Sequence, residues 1–113
     1  MNQSASAGAG AIPGLPCAET SRLLGVIQAN QTVERVLLYG SRAMGRHRSG
    51  SDIDLCLEAP TMDLRQLLLL EAELDDLLLP WPIDLQIRHR IDHKGLESHI
   101  SRAGTVLWER NQP

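Results

Sequence analysis

The chain reads Leu37-Leu38-Tyr39-Gly40-Ser41 and, ten residues further on, Ser51-Asp52-Ile53-Asp54-Leu55, and these two segments indicate its architecture most directly. The first is an apolar run that stops at a Gly-Ser pair, which predicts a short buried strand entering a turn. In the second, side chains two residues apart in a strand share a face, so Asp52 and Asp54 are expected to point to one spot. Two hard oxygen ligands beside a turn that can offer backbone N–H groups to an anion suit a Mg²⁺–nucleotide site.

The length and charge of the chain limit the functions that it can have. With 113 residues and a formal net charge of −3, we expect one small domain without the basic surface that nucleic-acid binding usually requires. Cys17 and Cys56 lie far apart and are not in CxxC spacing, so neither a zinc site nor a structural disulfide is expected. No apolar run approaches the roughly 20 residues of a membrane span, and no secretory signal is recognisable. We therefore expect a cytoplasmic protein that binds neither membranes nor nucleic acid directly.

The composition divides the chain into a tail and a domain. Residues 1–16 are rich in Ala, Gly, Ser and Pro and show no periodicity, which predicts a flexible N-terminal tail. Residues 17–113 are predicted to form a single domain. Its predicted helices are 19–30, 41–46, 63–79 and 92–102, its predicted strands are 33–39, 53–57 and 83–87, and residues 105–108 form a terminal extended segment.

Capping signals support two of these helices. Ser41 is expected to cap the short helix that runs to Arg46, and Asp63 is expected to cap the long helix that Pro80 stops. The resulting order, α-β-α-β-α-β-α, predicts an α/β fold: a small mixed β-sheet of three or more strands with helices packed on it.

The combined pattern, Gly-Ser-x-x-x-Gly from Gly40 followed by Ser-Asp-x-Asp-Leu from Ser51, resembles the nucleotidyltransferase superfamily that includes DNA polymerase β and the kanamycin nucleotidyltransferases. At this chain length it is most similar to the minimal nucleotidyltransferase (MNT) domains, of the MntA antitoxin type. The resemblance covers residues 33–87, about half of the chain. It implies a nucleotidyltransferase fold for the single domain.

The resemblance also implies which residues bind the nucleotide. A Gly-Ser pair alone indicates an ordinary strand-to-helix turn with a serine cap. Together with Gly45 and the paired aspartates, however, Gly40 and Ser41 match the turn that holds the triphosphate in the superfamily. Glycine lets the backbone approach a phosphate closely. Arg42 and Ser51 are the other expected nucleotide-binding residues.

Asp52, Asp54 and Asp84 are the expected catalytic residues and metal ligands. Two same-face carboxylates repel each other unless a cation lies between them, which favours metal binding over two solvent-facing aspartates. Asp84 could likewise face solvent, but Ile83-Asp84-Leu85 matches the superfamily's third acidic residue, which completes the metal site and can accept the proton of the attacking hydroxyl. Three carboxylates around two Mg²⁺ ions would clamp the attacking and leaving oxygens of an in-line displacement.

A basic cluster lies between the turn and the paired aspartates; it comprises Arg42, Arg46, His47 and Arg48. It could neutralise a triphosphate, hold the acceptor, or be an ordinary basic surface loop. Arg42 is the best placed, because it follows Ser41 directly. Many minimal members of the family have Gly-Ser-Arg-Ala-Arg-Gly, whereas Met44 replaces the second arginine here. Arg46 or Arg48 could substitute for the missing phosphate contact.

The predicted helix at 63–79 is apolar around most of its circumference, through its leucine runs at 67–70 and 77–79. It is either a central helix of this domain or a helix with one face against another subunit or a partner. The remaining histidines, His89, His93 and His99, are expected to be solvated. The tryptophans, Trp81 and Trp108, are expected to be packing residues.

The resemblance implies a Mg²⁺-dependent enzyme that transfers a nucleoside monophosphate, with ATP as the expected donor, to an acceptor hydroxyl. Only 29 residues follow Asp84, too few for the extra domain with which larger relatives bind an antibiotic, a primer or tRNA. The leading hypothesis is therefore an antitoxin that adenylylates a tyrosine of a HEPN-domain toxin, the common companion of minimal members. Two alternatives stay open: a non-catalytic module that neutralises a helical partner, and an aminoglycoside-type transferase that acts as a homodimer.

Overall fold

The computed structural model of the protein describes residues 10–110. Within them the helices are α1 (Cys17–Gln28), α2 (Gly40–Ala43), α3 (Leu64–Asp75) and α4 (Lys94–Ala103). The strands are β1 (Arg35–Tyr39), β2 (Ile53–Glu58), β3 (Ile83–Ile87) and β4 (Thr105–Glu109), and a 3-10 turn spans Arg88–Arg90. None of these helices is long and apolar enough to cross a membrane.

The strands form one mixed sheet in the order β3-β2-β1-β4. β1 is antiparallel to both β2 and β4, whereas β2 and β3 are parallel. A parallel pair needs a long crossover connection, and α3 provides it between β2 and β3. The predicted mixed sheet is confirmed, and the extended segment predicted at 105–108 is its fourth strand.

The two faces of the sheet differ in what covers them. The main core lies between one face and helices α1 and α3, and Ile53, Leu55 and Leu57 of β2 are fully buried in it. Burying side chains of this size contributes roughly 1.5–3 kcal/mol each. The opposite face is covered over only part of its length, where Ile100 of α4 packs on Cys56 and its neighbours. The predicted alternation of core-facing apolar residues along β2 is therefore confirmed. Polar residues of the sheet lie on the uncovered part of the second face.

Helix α3 is a surface helix with one buried stripe. Asp63 caps it as predicted, because its Oδ1 accepts the N–H of Gln66 while Gln66 Oε1 accepts the N–H of Asp63. The helix ends at Asp75 rather than at residue 79, since the chain turns at Leu78, which has a φ of 56°. Four leucines of this region are 48–86% exposed: Leu64, Leu68, Leu69 and Leu78. A fully buried central helix is thus excluded.

Helix α2 is shorter than predicted and is not capped by Ser41. It begins at Gly40, follows Tyr39 without a side-chain cap, and ends at Ala43 instead of reaching Arg46. Gly45 has a φ of 71°, a left-handed conformation that ends helices.

The predicted flexible tail is wrong for residues 10–16, and residues 1–9 lie outside the described part of the chain. Ile12 is 1% exposed and belongs to the main core. The N–H of Gly10 donates to the carbonyl of Leu107, which joins this segment to β4. One large apolar side chain within a run of small residues is enough to anchor the segment.

Candidate active site

Asp54 and Asp84 face each other across the parallel pair of β2 and β3. Because they are register partners, their side chains project from the same face of the sheet. This is the uncovered end of the face on which α4 packs. Asp52 lies just before β2 and is exposed, as is Asp84, whereas Asp54 is half-buried. The predicted meeting of the second and third aspartates on neighbouring strands is therefore present.

The pKa of Asp54 reflects the proximity of the other two aspartates. Burial raises the pKa of the Asp54 carboxyl, and the negative charges of Asp84 and Asp52 raise it further. The positive charge of Arg42 lowers the pKa but does not offset the rise. Repulsion of this kind is relieved when a cation lies among the carboxylates.

The donor set of the three aspartates suits a hard divalent cation such as Mg²⁺, which prefers oxygen ligands. In the described residues, however, no three His, Cys, Asp or Glu side chains are already arranged around a common ion position. Asp84 Oδ2 instead accepts hydrogen bonds from the Tyr39 hydroxyl at 3.1 Å and from Gln86 Nε2 at 3.4 Å. The carboxylates are thus neighbours that repel one another, and two protein donors fix the orientation of Asp84.

The turn at Gly40 lies directly against Asp54. Gly40 has a φ of 79°, which side chains other than glycine rarely tolerate, and a Cβ at this position would collide with Asp54 Oδ2. The backbone N–H of Gly40 donates to Nε2 of His99 at 3.0 Å. The predicted juxtaposition of turn and carboxylates is therefore present, but the Gly40 N–H has an imidazole as its partner.

Arg42 does not lie where the sequence led us to expect it. Its side chain is 1% exposed and turned into the protein. Nε and Nη2 donate to the carbonyl of Ser51 at 3.2 and 2.8 Å, and Nη1 donates to the carbonyl of Pro13 at 2.7 Å. A buried guanidinium requires such partners. Arg42 therefore joins the loop before β2 to the N-terminal segment instead of facing the open end of the site.

The loop between α2 and β2 presents its other basic residues differently. The side chains of Arg46 and Arg48 are exposed, whereas His47 is half-buried close to Gly14. The hydroxyl of Ser51 accepts the backbone N–H of Arg48 at 2.8 Å and closes a turn there. Arg46 and Arg48 are thus the arginines of this loop that are accessible to a bound anion.

Tyr39 and His99 are the site residues that sequence reasoning missed. The pKa of the Tyr39 hydroxyl is raised by burial and by the charge of Asp84, so the group remains protonated and donates to Asp84. His99, expected to be solvated, is half-buried, with its ring edge-on to Tyr39 at 6.1 Å between centroids. Strand parity could have indicated Tyr39, which is the register partner of Asp54. No local pattern pointed to His99, which is 59 residues away from Gly40.

Comparison with known families agrees with this geometry. The sequence model described as polymerase beta, nucleotidyltransferase matches residues 22–113. The chain therefore belongs to the polymerase beta nucleotidyltransferase family and is a domain of the nucleotidyltransferase class of enzymes. A comparison with curated protein sequences gives no match.

Solved structures show the same fold in MNT antitoxins. A toxin–antitoxin complex with AMP-PNP gives a TM-score of 0.66 at 23% identity, over 81% of this chain and 74% of that one. The toxin–antitoxin MntA–HepT gives 0.62 at 20% identity, over 84% and 74%. A tri-AMPylated Shewanella oneidensis HEPN toxin in complex with an MNT antitoxin gives 0.62 at 20% identity, over 82% and 71%. The predicted nucleotidyltransferase fold is thus confirmed.

Proposed function

We propose that this chain is a Mg²⁺-dependent adenylyltransferase that moves AMP from ATP to a hydroxyl group of a HEPN-type protein, as the antitoxin of a toxin–antitoxin pair. The observation that carries the proposal is the register pairing of Asp54 with Asp84, directly against the glycine turn at Gly40. Family membership supports the reaction class, and the solved antitoxin complexes support the donor and the partner.

In this proposal the triphosphate lies at the turn formed by Gly40 and Ser41, where the absence of a side chain at Gly40 allows close approach. The exposed guanidinium groups of Arg46 and Arg48 offset its negative charge. The sequence predicts that Arg42 and Ser51 contact the nucleotide, but in this proposal they support the site without touching it. Arg42 holds the Ser51 carbonyl, and the Ser51 hydroxyl holds the turn that carries Arg48.

The metal ligands in the proposal are Asp52, Asp54 and Asp84, which would hold one or two Mg²⁺ ions. When bound, Mg²⁺ neutralises phosphate oxygens and the three carboxylates. The raised pKa of Asp54 supports this assignment, because the repulsion that raises it is relieved by a cation.

Asp84 is the proposed general base. Its Oδ2 accepts from Tyr39 and Gln86, which leaves Oδ1 to take the proton of the acceptor hydroxyl. The acceptor oxygen then bonds to the α-phosphorus, and the bond from that phosphorus to the bridging oxygen breaks, so that pyrophosphate leaves. Asp84 is exposed on the edge strand β3, which gives a large acceptor access.

The exposed leucines of the α3 region support a protein partner. Leu64, Leu68 and Leu69 lie on the helix and Leu78 follows it, and apolar side chains exposed to this degree favour a protein interface. The same surface would serve a binding module without catalysis. The placement of the carboxylates favours an enzyme, since such a module has no need of them.

The test is transfer of label from α-labelled ATP, with Mg²⁺, to proteins in a lysate of the source organism. Wild type should label one acceptor, while Asp54→Asn should label none. Asp92→Asn, an exposed change just before α4 and away from the exposed leucines, is the matched control and should behave as wild type. Labelling that survives in Asp54→Asn would overturn the proposed mechanism. Capture of a partner with no labelling by wild type would favour the binding module.

A further inference from the structure

We propose that His99 is a positioning residue that anchors the Gly40 turn for nucleotide binding, an inference that rests on the proposed function. The imidazole Nε2 accepts the backbone N–H of Gly40 at 3.0 Å. His99 lies on α4, whereas Gly40 begins α2 at the end of β1. A single hydrogen bond thus connects the helix on the second face of the sheet to the turn of the site.

The Gly40 N–H needs such a partner. It is the first N–H of α2, and the first N–H groups of a helix have no acceptor within the helix. Glycine is also the residue whose backbone is least restricted by its own structure. An acceptor from outside the turn therefore selects the orientation of the peptide between Tyr39 and Gly40, and with it the distance from the turn to Asp54.

Helix α4 is held firmly on both sides of His99. Two residues earlier, Glu97 Oε1 pairs with Arg88 Nη2 at 2.8 Å, and Arg88 also reaches Glu58 of β2 at 3.3 Å. One residue later, Ile100 is buried against the sheet. The imidazole is therefore presented by a fixed backbone, which is what an anchoring role requires.

The ring has two separable interactions. Nε2 accepts from Gly40, which requires a neutral imidazole with its proton on Nδ1. The ring also packs edge-on against Tyr39. His99→Phe keeps an aromatic ring but has no acceptor, whereas His99→Gln loses the ring but has a carbonyl oxygen that can accept. The pair of variants separates the hydrogen bond from the packing.

The first experiment measures hydrogen exchange of the Gly40 amide by NMR, without nucleotide. Exchange should be at least tenfold faster in His99→Phe than in wild type, and His99→Gln should restore most of the protection. His89→Gln, an exposed change in the 3-10 turn, is the matched control. Equal protection in wild type and His99→Phe would overturn the anchor. This readout does not depend on enzymatic activity.

The second experiment measures binding of AMP-PNP with Mg²⁺ by calorimetry, and the KM for ATP and kcat of transfer. For His99→Phe we expect the KM to rise about tenfold, the lower end of the loss seen when outer-shell hydrogen bonds at metal sites are removed, with a smaller change in kcat. His99→Gln should return to within about twofold of wild type. Unchanged binding in His99→Phe, or equal losses in both variants, would overturn positioning through Gly40.

Tighter nucleotide binding by His99→Phe would also overturn the proposal, because it would mean that the imidazole competes with phosphate for the Gly40 N–H. If wild type binds no nucleotide at all, the proposed function fails. The amide exchange of Gly40 then still decides whether His99 anchors the turn.

Discussion

The hydroxyl of Tyr39 donates to Oδ2 of Asp84 at 3.1 Å across an intervening strand. Tyr39 is the register partner of Asp54, and Asp54 is the register partner of Asp84, so the three residues form a row across β1, β2 and β3. The tyrosine therefore reaches over one carboxylate of the site to orient the other.

If Asp84 binds the metal as proposed, Tyr39→Phe should reduce transfer about 10- to 100-fold, the usual effect of removing a hydrogen bond to a metal ligand. The aromatic ring remains to pack on His99, so the fold should be retained. Steady-state kinetics with α-labelled ATP, beside a thermal melt, would measure both effects. Wild-type activity in Tyr39→Phe would show that Asp84 does not need this donor.

Asp54→Asn should abolish transfer yet stabilise the metal-free domain at neutral pH. The pKa of Asp54 is raised in the folded state, so its contribution to stability is complete below its unfolded value of 3.8 and is lost as pH rises through the folded pKa. The gain from Asn at pH 7 should stay below about 1 kcal/mol, since solvent screens a half-buried group.

Melts in EDTA at pH 3 and pH 7 check this prediction. The Tm of Asp54→Asn should exceed that of wild type only at pH 7, by a few degrees for a domain of this size. Adding Mg²⁺ should raise the Tm of wild type more than that of the variant, because a ligand stabilises the state that binds it. If the variant is less stable than wild type at pH 7, repulsion between Asp54 and the neighbouring carboxylates does not destabilise the metal-free domain.

Gly40→Ala should impair both folding and activity. The left-handed backbone at a φ of 79° costs a residue with a Cβ about 1–2 kcal/mol, and the new methyl group would push the Asp54 carboxylate aside. Denaturant unfolding and label transfer measure the two effects. Gly25→Ala is the matched control: this position in α1 has open space around it, and Ala should stabilise the helix by about 1 kcal/mol.

Arg42→Ala and Arg46→Ala should have opposite profiles. Removal of the buried Arg42 leaves the carbonyls of Pro13 and Ser51 without their donor, at a cost of about 1–3 kcal/mol per unsatisfied group. Arg46 is exposed, so its loss should leave the Tm unchanged and weaken nucleotide binding. Calorimetric titration with AMP-PNP and a thermal melt of each variant suffice. If Arg42→Ala is as stable as wild type but binds AMP-PNP more weakly, Arg42 contacts the phosphate groups directly.

Ile12→Ala tests whether residues 10–16 belong to the folded domain. Truncation of a fully buried isoleucine should cost about 2–5 kcal/mol. Pro13→Ala is the control from the same segment, because the proline ring is exposed and the substitution retains the carbonyl that accepts from Arg42. Urea unfolding should separate the two variants, and similar midpoints for both would mean that the segment is dispensable.

The features that could be predicted from the sequence are those that local patterns determine. The alternation in β2 placed Asp54 opposite the apolar core, and the Asp63 cap follows from hydrogen bonds three residues apart. The features that were missed depend on contacts between distant parts of the chain. Arg42 bonds to a carbonyl 29 residues away, and His99 to an N–H 59 residues away. No periodicity encodes such pairs, so neither partner could be identified before the fold was known.

The position of β3 at the edge of the sheet has a consequence for the choice of acceptor. The carboxylate that would take the acceptor's proton lies at the rim of the domain, and its strand has a neighbour on one side only among the described residues. In the proposed reaction, an acceptor as large as a folded protein could therefore reach this carboxylate. If the proposed function holds, selectivity comes from surfaces beyond the reacting atoms, where a partner would dock and bring one of its hydroxyls to the rim.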